Sequence, residues 1–185
     1  YLERIFETLD EPVTVDDAED AIEMPDIKGQ VVFENVTFGY EEGQTVLDNV
    51  SFTVNPGESV ALVGPTGAGK STIVNLISRF YNINSGRVLI DGVDISKVTL
   101  KSLRSQMGIM LQDSFIFSGT IAENIRYGRP DATMEEVKAA CKAVCADEFI
   151  EAFPNGYDTE VNERGDMLSQ GQKQLIAFAR TMLCN

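Results

Sequence analysis

The stretch "LVGPTGAGKST", residues 62–72, carries glycines, a lysine and hydroxyl side chains at a spacing suited to anion chemistry. Gly64, Gly69, Lys70 and Ser71 follow the order G-x-x-x-x-G-K-S, between the apolar run "SVALV" and the helical pattern "STIVNLISRF". Glycines let a backbone turn tightly against phosphate oxygens, and loop N–H groups and a helix start offer partial positive charge. Lysine adds a full charge, and a serine hydroxyl can ligate Mg²⁺. The spacing therefore predicts a site for a nucleoside triphosphate.

A second polar stretch, "LSQGQ", begins at residue 168, ahead of the apolar-faced helical pattern "KQLIAFARTML". Ser169 is a good N-cap, and Gln172 follows three residues later, which predicts a capping box. A helix start of this kind, with Gly171 beside it, is also suited to binding an anion. The residues alone leave both interpretations open.

The elements that position these stretches follow from hydrophobic periodicity. Two alternating runs, "VVFENVTFGY" and "VLDNVSFTV", predict neighbouring antiparallel strands. The continuous apolar run "SVALVG" predicts a strand that is buried on both faces. "SGRVLIDG" and "QMGIMLQ" predict two more strands, the second placing Gln112 at a strand end. The later segments have helical patterns, so we expect a β-rich part with an α/β core, followed by a helical part.

Composition excludes several classes of function. The 185 residues carry a net charge of −14, and ten acids against two bases fall within residues 1–30. Such a balance argues against non-specific binding to nucleic acid, which needs a basic surface. No apolar run is long enough to span a bilayer. The absence of histidine from the sequence excludes a Ser/His or Cys/His nucleophilic site within these residues.

Several motifs together resemble the nucleotide-binding domain of ATP-binding-cassette (ABC) transporters of the exporter type, from about residue 31 onward. "FGY" ends in Tyr40, which matches the family's adenine-stacking aromatic residue. "GPTGAGKST" resembles the Walker A loop, and "MLQD" places Gln112 at the Q-loop. "FSGTIAENIRYG" and "TEVNERG", with Glu163, resemble exporter segments. "LSQGQ" resembles the signature motif, with Gln170 where glycine is usual.

The resemblance implies a set of site residues and two bound species, ATP and Mg²⁺. Lys70 and Gln112 would be catalytic, and Ser71 and Gln112 would lie on the metal. The signature residues would face the ATP of a partner domain; they are Ser169, Gln170, Gly171 and Gln172. The residues that would hold ATP are Tyr40, Val46, Gly64, Pro65, Thr66, Gly67, Ala68, Gly69, Lys70, Ser71, Thr72 and Gln112.

The resemblance also implies a domain organisation. Residues 1–30 would be an acidic linker following an absent transmembrane domain, and residues 31–185 the N-terminal portion of the nucleotide-binding domain. Within it, residues 31–112 would form an antiparallel β subdomain and the first half of a P-loop NTPase core, of α/β class. Residues 113–185 would form an α-helical subdomain with the signature helix. The family's Walker B carboxylates and switch histidine are not in this sequence, so we expect these residues alone to be inactive.

The function implied is ATP hydrolysis coupled to export across a membrane. The partners would be a second nucleotide-binding domain, in a homo- or heterodimer, and a transmembrane domain, at the cytoplasmic face of the plasma membrane; no nucleic acid is expected. One alternative is a soluble ABC-type ATPase of DNA repair or chromosome organisation, although "TMEEVKAACKAVCADEF" is too short for its coiled coil. Another is a degenerate half-site that binds ATP without hydrolysing it.

Overall fold

The computed structural model describes residue 6, residue 10, residues 13–110 and residues 115–184. The chain divides into two compact units, Tyr1–Ser105 and Gln106–Asn185. Each unit is described below by itself.

Within residues 13–105, the first unit contains a four-stranded sheet and two helices. Its strands have the order β2-β1-β3-β4, and all three pairs are antiparallel. The elements are β1 (Val31–Phe38), β2 (Leu47–Val54), α1 (Lys70–Ile77), β3 (Ser85–Ile90), β4 (Val93–Asp94), a 3₁₀ turn (Ile95–Lys97) and α2 (Leu100–Arg104).

The first strand of this sheet buries side chains on both sides of a break in register between Phe33 and Val36. Phe33, Val36 and Phe38 of β1 are buried, and Phe33 stacks on Phe52 of β2, its register partner, with ring centroids 4.6 Å apart. Burying such a side chain contributes about 2 kcal/mol of stability. The predicted antiparallel pairing of the first two strands is therefore confirmed.

The prediction of a buried strand at "SVALVG" is wrong. Val60, Leu62 and Val63 are 57, 38 and 89% exposed, and residues 59–64 form no strand. Among the described residues no strand pairs with this run, and an apolar pattern indicates burial without supplying a hydrogen-bonding partner. The prediction for "QMGIMLQ" fails in the same way, because residues 106–110 form no strand and residues 111–112 lie outside the described part.

Helix α1 is held at its C-terminal end by arginine. Arg104 donates from Nε to the carbonyl oxygen of Ser78 at 3.1 Å, and from Nη2 to that of Arg79 at 2.7 Å. The cation thereby satisfies carbonyl groups that follow the helix and faces the negative end of its dipole. The start of the helix, and the loop before it, are thus anchored from the far end.

Residues 13–30 contain no regular helix or strand but are bound to the first unit at several points. Arg79, which is 5% exposed, donates from Nη2 to the carbonyl oxygen of Asp16 at 2.8 Å and from Nη1 to that of Val98 at 2.9 Å. Ile22 forms a parallel bridge with Val98. The expected linkage of residues 1–30 to a transmembrane domain stays a prediction.

The second unit is mainly helical and packs around one buried apolar cluster, which includes Ile121, Ile125, Val137, Ile176 and Leu183. Its elements are β5 (Gly119–Thr120), α3 (Ile121–Arg126), α4 (Met134–Ala143), α5 (Asp147–Glu151), a 3₁₀ turn (Gly156–Asp158), β6 (Glu160–Val161) and α6 (Gln170–Leu183). An antiparallel sheet in one unit and helices in the other confirm the predicted fold class. None of the described helices combines the length and apolarity needed to cross a bilayer.

The Asp91 carboxylate fastens residues 28–30 to the sheet. Asp91 begins the turn between β3 and β4, and its oxygens accept hydrogen bonds from the backbone N–H groups of Lys28, Gly29 and Gln30 at 2.6, 3.3 and 2.9 Å. Burial tends to raise the pKa of Asp91, but these N–H groups and the Lys28 charge lower it by more, to below the ordinary 3.8.

We therefore expect Asp91 to stabilise the fold in a pH-dependent way. A lowered carboxyl pKa contributes stability above pH 4, which is lost as the pH falls below 3.8 towards the folded-state value. Asp91→Asn keeps a residue that tolerates the positive φ of 50° but removes the charge. It should lower the free energy of unfolding at pH 7 by about 1 kcal/mol.

Urea unfolding between pH 3 and pH 7 measures this effect. The difference between the protein and Asp91→Asn should shrink as the pH falls below 3.8. Asp48→Asn, an exposed change on β2, is the matched control and should leave stability nearly unchanged. A difference for Asp91→Asn that is constant over the whole range would contradict the assignment.

Candidate nucleotide-binding site

The glycine-rich loop opens helix α1 through a left-handed residue. Gly69 is the N-cap, with φ +80°, and a Cβ at this position would lie 2.6 Å from Cδ2 of Leu47 on β2. The backbone conformation favours glycine strongly, and a Cβ would in addition displace the end of the Leu47 side chain. At Gly67, with φ +85°, a Cβ would meet nothing within 4 Å, so this glycine serves the turn alone. Residues 61–68 are exposed, and the loop is open to a ligand.

The Lys70 ammonium lies against the loop itself. Its Nζ donates to the carbonyl oxygens of Gly64 at 2.9 Å and of Pro65 at 2.7 Å. In the described part of the chain no carboxylate pairs with it. The full positive charge is therefore balanced only by carbonyl dipoles, at the position where an anion would meet the loop.

The start of α1 has no side-chain cap, in contrast to α3, α4 and α6. The first-turn N–H groups of a helix have no partner within the helix, so here they can meet an external acceptor. Ser71, in this turn, is exposed and Thr72 is buried, at 4% exposure. A hydroxyl and free N–H groups thus face solvent together beside the Lys70 charge.

Tyr40 lies just after β1 with its ring 48% exposed. Phe38 and Tyr81 meet this ring nearly perpendicularly, each with centroids 5.0 Å away, and no described aromatic side chain stacks parallel on it. Its hydroxyl oxygen is 3.1 Å from Oγ1 of Thr72. The exposed part of the Tyr40 ring, next to α1, is therefore available to a ligand.

Val46 also lies beside the start of α1. A Cβ on Gly69 would be 3.4 Å from the Val46 carbonyl oxygen and 3.5 Å from its Cγ1. The structure thus brings the predicted residues Tyr40 and Val46 to the beginning of α1. Gln112, the remaining residue predicted to hold ATP or the metal, lies outside the described residues.

Sequence reasoning missed two residues of this site. Asn75 donates from Nδ2 to the Tyr40 hydroxyl at 3.5 Å, and Leu47 packs against Gly69. The signal for Asn75 is helical spacing, because it lies three residues after Thr72 on one face of α1. No local pattern marks Leu47.

The stretch "LSQGQ" begins helix α6 with the predicted capping box, which is confirmed. The Ser169 hydroxyl oxygen accepts from the backbone N–H of Gln172 at 3.2 Å, and the Ser169 N–H donates to Oε1 of Gln172 at 2.9 Å. Ser169, Gln170 and Gly171 are exposed, and a Cβ on Gly171 would meet nothing within 4 Å. Another molecule can therefore approach this helix start closely.

Arg180 fixes α6 to the beginning of the second unit. It donates from Nε to the carbonyl oxygen of Asn124 at 2.8 Å and from Nη2 to that of Phe115 at 3.2 Å. Its guanidinium also lies 5.4 Å from the ring centroid of Phe117 and 5.7 Å from that of Tyr127. The Asn124 side chain, 2% exposed, accepts from the Phe117 N–H at 2.9 Å and donates back to its carbonyl oxygen. The segment that follows residues 111–114 is thus tied to α6.

Glu163 lies in an exposed turn before this helix start. The nearby Asp166 carboxylate accepts a hydrogen bond from the Asn162 side chain at 3.1 Å. Among the described residues it forms no salt bridge. Among the described residues no group of three or more acids and cysteines is placed to hold a metal ion. These carboxylates therefore form no preformed metal centre.

Comparison with known proteins gives concordant matches. The family model described as "ABC transporter" matches residues 47–185. The "Putative multidrug export ATP-binding/permease protein YgaD" of Bacillus subtilis is 54% identical over the whole chain, which covers 32% of that protein. The "Fatty acid ABC transporter ATP-binding/permease protein" of Mycobacterium bovis is 51% identical over 98% of the chain, which covers 28% of that protein.

A solved structure matches the whole chain. It is described as a bacterial Atm1-family ABC exporter with ATP bound, and the TM-score is 0.93 at 47% sequence identity. The alignment includes the whole of this chain and 32% of that exporter. The chain therefore spans about a third or less of the proteins that it resembles.

Proposed function

Because this chain belongs to the ABC transporter family, we propose that it is the ATP-binding part of an exporter, in which ATP hydrolysis at a pair of nucleotide-binding domains drives transport. The observation that carries the proposal is the uncapped start of α1, with the Lys70 ammonium held at the loop and the loop exposed. The relatives that support it are named ATP-binding/permease proteins.

The phosphates of ATP bind residues 64–72 in this proposal. The N–H groups of the loop and of the first turn of α1 supply partial positive charge, and Lys70 exchanges the carbonyl oxygens of Gly64 and Pro65 for β- and γ-phosphate oxygens. Carbonyl dipoles balance the ammonium more weakly than phosphate does, so the exchange favours the bound state. Thr66 and Ala68, exposed in the loop, contribute backbone N–H groups rather than side chains, whereas Pro65, which has no N–H, contributes to the shape of the loop.

The residues present suit Mg²⁺ held by ATP. Mg²⁺ prefers oxygen ligands, keeps several waters and is bound through one or two protein groups together with substrate phosphates. The exposed Ser71 hydroxyl at the start of α1 supplies one such ligand, and we propose Gln112 as a second. The ion supplies neutralisation of charge on the phosphates. The residues of this chain hold it in place and orient the phosphates beside Lys70.

The half-exposed ring of Tyr40 stacks on adenine in this proposal, with Val46 beside it. Stacking of a base on an aromatic ring contributes about 1–3 kcal/mol by alanine substitution. Phe38 and Tyr81 hold the Tyr40 ring by nearly perpendicular contacts. Among the described residues, no aromatic ring stacks parallel on it. Base and phosphates thus both lie near the beginning of α1.

Helix α6 acts on the ATP of a partner domain. Its start exposes Ser169, Gln170 and Gly171, and Gln172 completes the turn through the capping box. The Ser169 hydroxyl accepts one bond there and can still donate its proton to a phosphate oxygen. The partner is a second nucleotide-binding domain, identical or different.

We place this part of the protein at the cytoplasmic face of the plasma membrane, joined to a transmembrane domain. The word "permease" in the names of the relatives supports that arrangement. One of these names refers to fatty acids and another to multidrug export, although both segments are about equally similar to this chain. The shared ATP site is thus compatible with different cargo.

Lys70→Ala should weaken ATP binding strongly. The change removes the charge that faces the β- and γ-phosphates, and truncating one member of such a charge pair costs about 2–5 kcal/mol, a loss of about 30-fold to several thousandfold. Titration of the complete protein with a fluorescent ATP analogue measures it. Lys101→Ala, an exposed lysine of α2, is the control and should bind normally. Equal affinity of Lys70→Ala and the unmodified protein would remove the basis of the proposed function.

Ser169→Ala should lower ATP turnover by tenfold or more, on the scale of a hydrogen-bond donor lost from a transition state. The change also removes a helix cap, which costs about 1 kcal/mol of stability. Thr133→Ala is the matched control, because Thr133 forms the same capping box with Glu136 at the start of α4. Steady-state phosphate release should fall only for Ser169→Ala, and equal rates for the two variants would reduce Ser169 to a structural cap.

Residues 1–185 alone should release no phosphate from Mg²⁺-ATP above background. Hydrolysis needs a positioned water and charge stabilisation from several sides, and the exposed Glu163 and Asp166 lie in a surface turn before α6. The measurement compares this segment with the complete protein at saturating Mg²⁺-ATP. Comparable rates would place the catalytic carboxylate within this segment.

A further inference from the structure

The hydroxyl of Tyr40 is hydrogen-bonded to side chains of helix α1. Its oxygen is 3.1 Å from Oγ1 of Thr72, in the first turn, and 3.5 Å from Nδ2 of Asn75, one turn later. Thr72 is 4% exposed, whereas the Tyr40 ring is 48% exposed. The bond therefore joins an accessible ring to a buried group of the phosphate-binding helix.

This geometry restricts the ring at three places. Phe38 and Tyr81 meet it at interplanar angles of 83° and 88°, and the hydroxyl is tied to Thr72 at the far end of the ring. Edge contacts resist sliding of the ring, and a hydrogen bond at the para position resists its swing away from α1. Removing the hydroxyl leaves the contacts with Phe38 and Tyr81 but allows the ring to rotate away from α1.

We propose that Tyr40 is a positioning residue for the base, and that its hydroxyl, through Thr72, sets the angle of the stacking ring relative to the phosphate-binding helix. The proposal rests on the proposed function, since it assumes that ATP occupies this site. It goes beyond stacking, because stacking alone needs only the π face and predicts that phenylalanine replaces Tyr40 without loss. Pre-organisation of the ring by a second group predicts that phenylalanine does not.

Two probes separate positioning from stability. Tyr40→Phe should weaken ATP binding by about 3- to 10-fold, because the freed ring must be ordered again when the base binds. It should change the affinity for inorganic tripolyphosphate, which has no base, by less than about twofold, since the loop and Lys70 are untouched. A merely structural role would move both affinities together or neither. Tyr127→Phe, which also removes an exposed tyrosine hydroxyl, is the control and should leave both affinities unchanged.

A double-mutant cycle assigns the effect to the bond with Thr72. Thr72→Val keeps the shape of the buried side chain and removes its hydroxyl; in that background, adding Tyr40→Phe should change ATP affinity by less than about twofold. Thr72→Ser, which keeps the hydroxyl, should restore the full 3- to 10-fold effect of Tyr40→Phe. The same cycle read from urea unfolding without nucleotide should show that the two hydroxyls are coupled, because the bond is present without a ligand, and absence of this coupling would overturn the inference.

The outcomes distinguish the two proposals. Normal ATP affinity of Tyr40→Phe together with weak binding of Tyr40→Ala would overturn the positioning role and leave ATP binding intact. Equal losses from Tyr40→Phe with and without the Thr72→Val change, or parallel losses of ATP and tripolyphosphate, would also overturn it. No ATP binding by the unmodified protein would remove the proposed function, and the inference with it. A loss confined to ATP and to backgrounds that keep a hydroxyl at position 72 supports the inference.

Discussion

The left-handed backbone at Gly69 is the constraint on which the rest of this site depends. At this residue the loop turns into helix α1, and any side chain would strain the backbone and displace the end of the Leu47 side chain of β2. The same contact fixes the helix start against the sheet. Because Lys70 and Ser71 follow directly, their positions relative to the loop are set by this one turn.

The exposed loop at residues 61–68 is supported through helix α1, because the far end of that helix is held by hydrogen bonds. Arg104 binds the carbonyl groups of Ser78 and Arg79, and Arg79 in turn binds the carbonyl groups of Asp16 and Val98. Two guanidinium groups thus join α1 to residues before the sheet and to residues after it. The exposed start of the helix can remain free of side-chain caps because its end is held so fully.

The sequence predicts what depends on neighbours along the chain and misses what depends on distant partners. The phosphate loop and the Ser169 capping box span fewer than ten residues each, so spacing alone reveals them. The apolar run at residues 59–64 shows the reverse case, because a strand exists only where another strand pairs with it. The bond between Tyr40 and Thr72 joins residues 32 apart, and no periodicity marks it. The roles of the individual site residues stay predictions.

The two polar helix starts of this chain differ in how much of their hydrogen-bonding capacity is already used. At α6 the capping box occupies the Ser169 hydroxyl as an acceptor and satisfies an N–H group that would otherwise face a ligand. At α1 no side chain does so, and the Lys70 charge stands beside the free groups. The start of α1 therefore offers uncapped N–H groups beside a lysine charge, whereas α6 offers one hydroxyl proton and an exposed glycine. With fewer donors, the start of α6 is better suited to adding a contact to a phosphate that another site already holds. The proposed contact with the ATP of a partner domain is of this type.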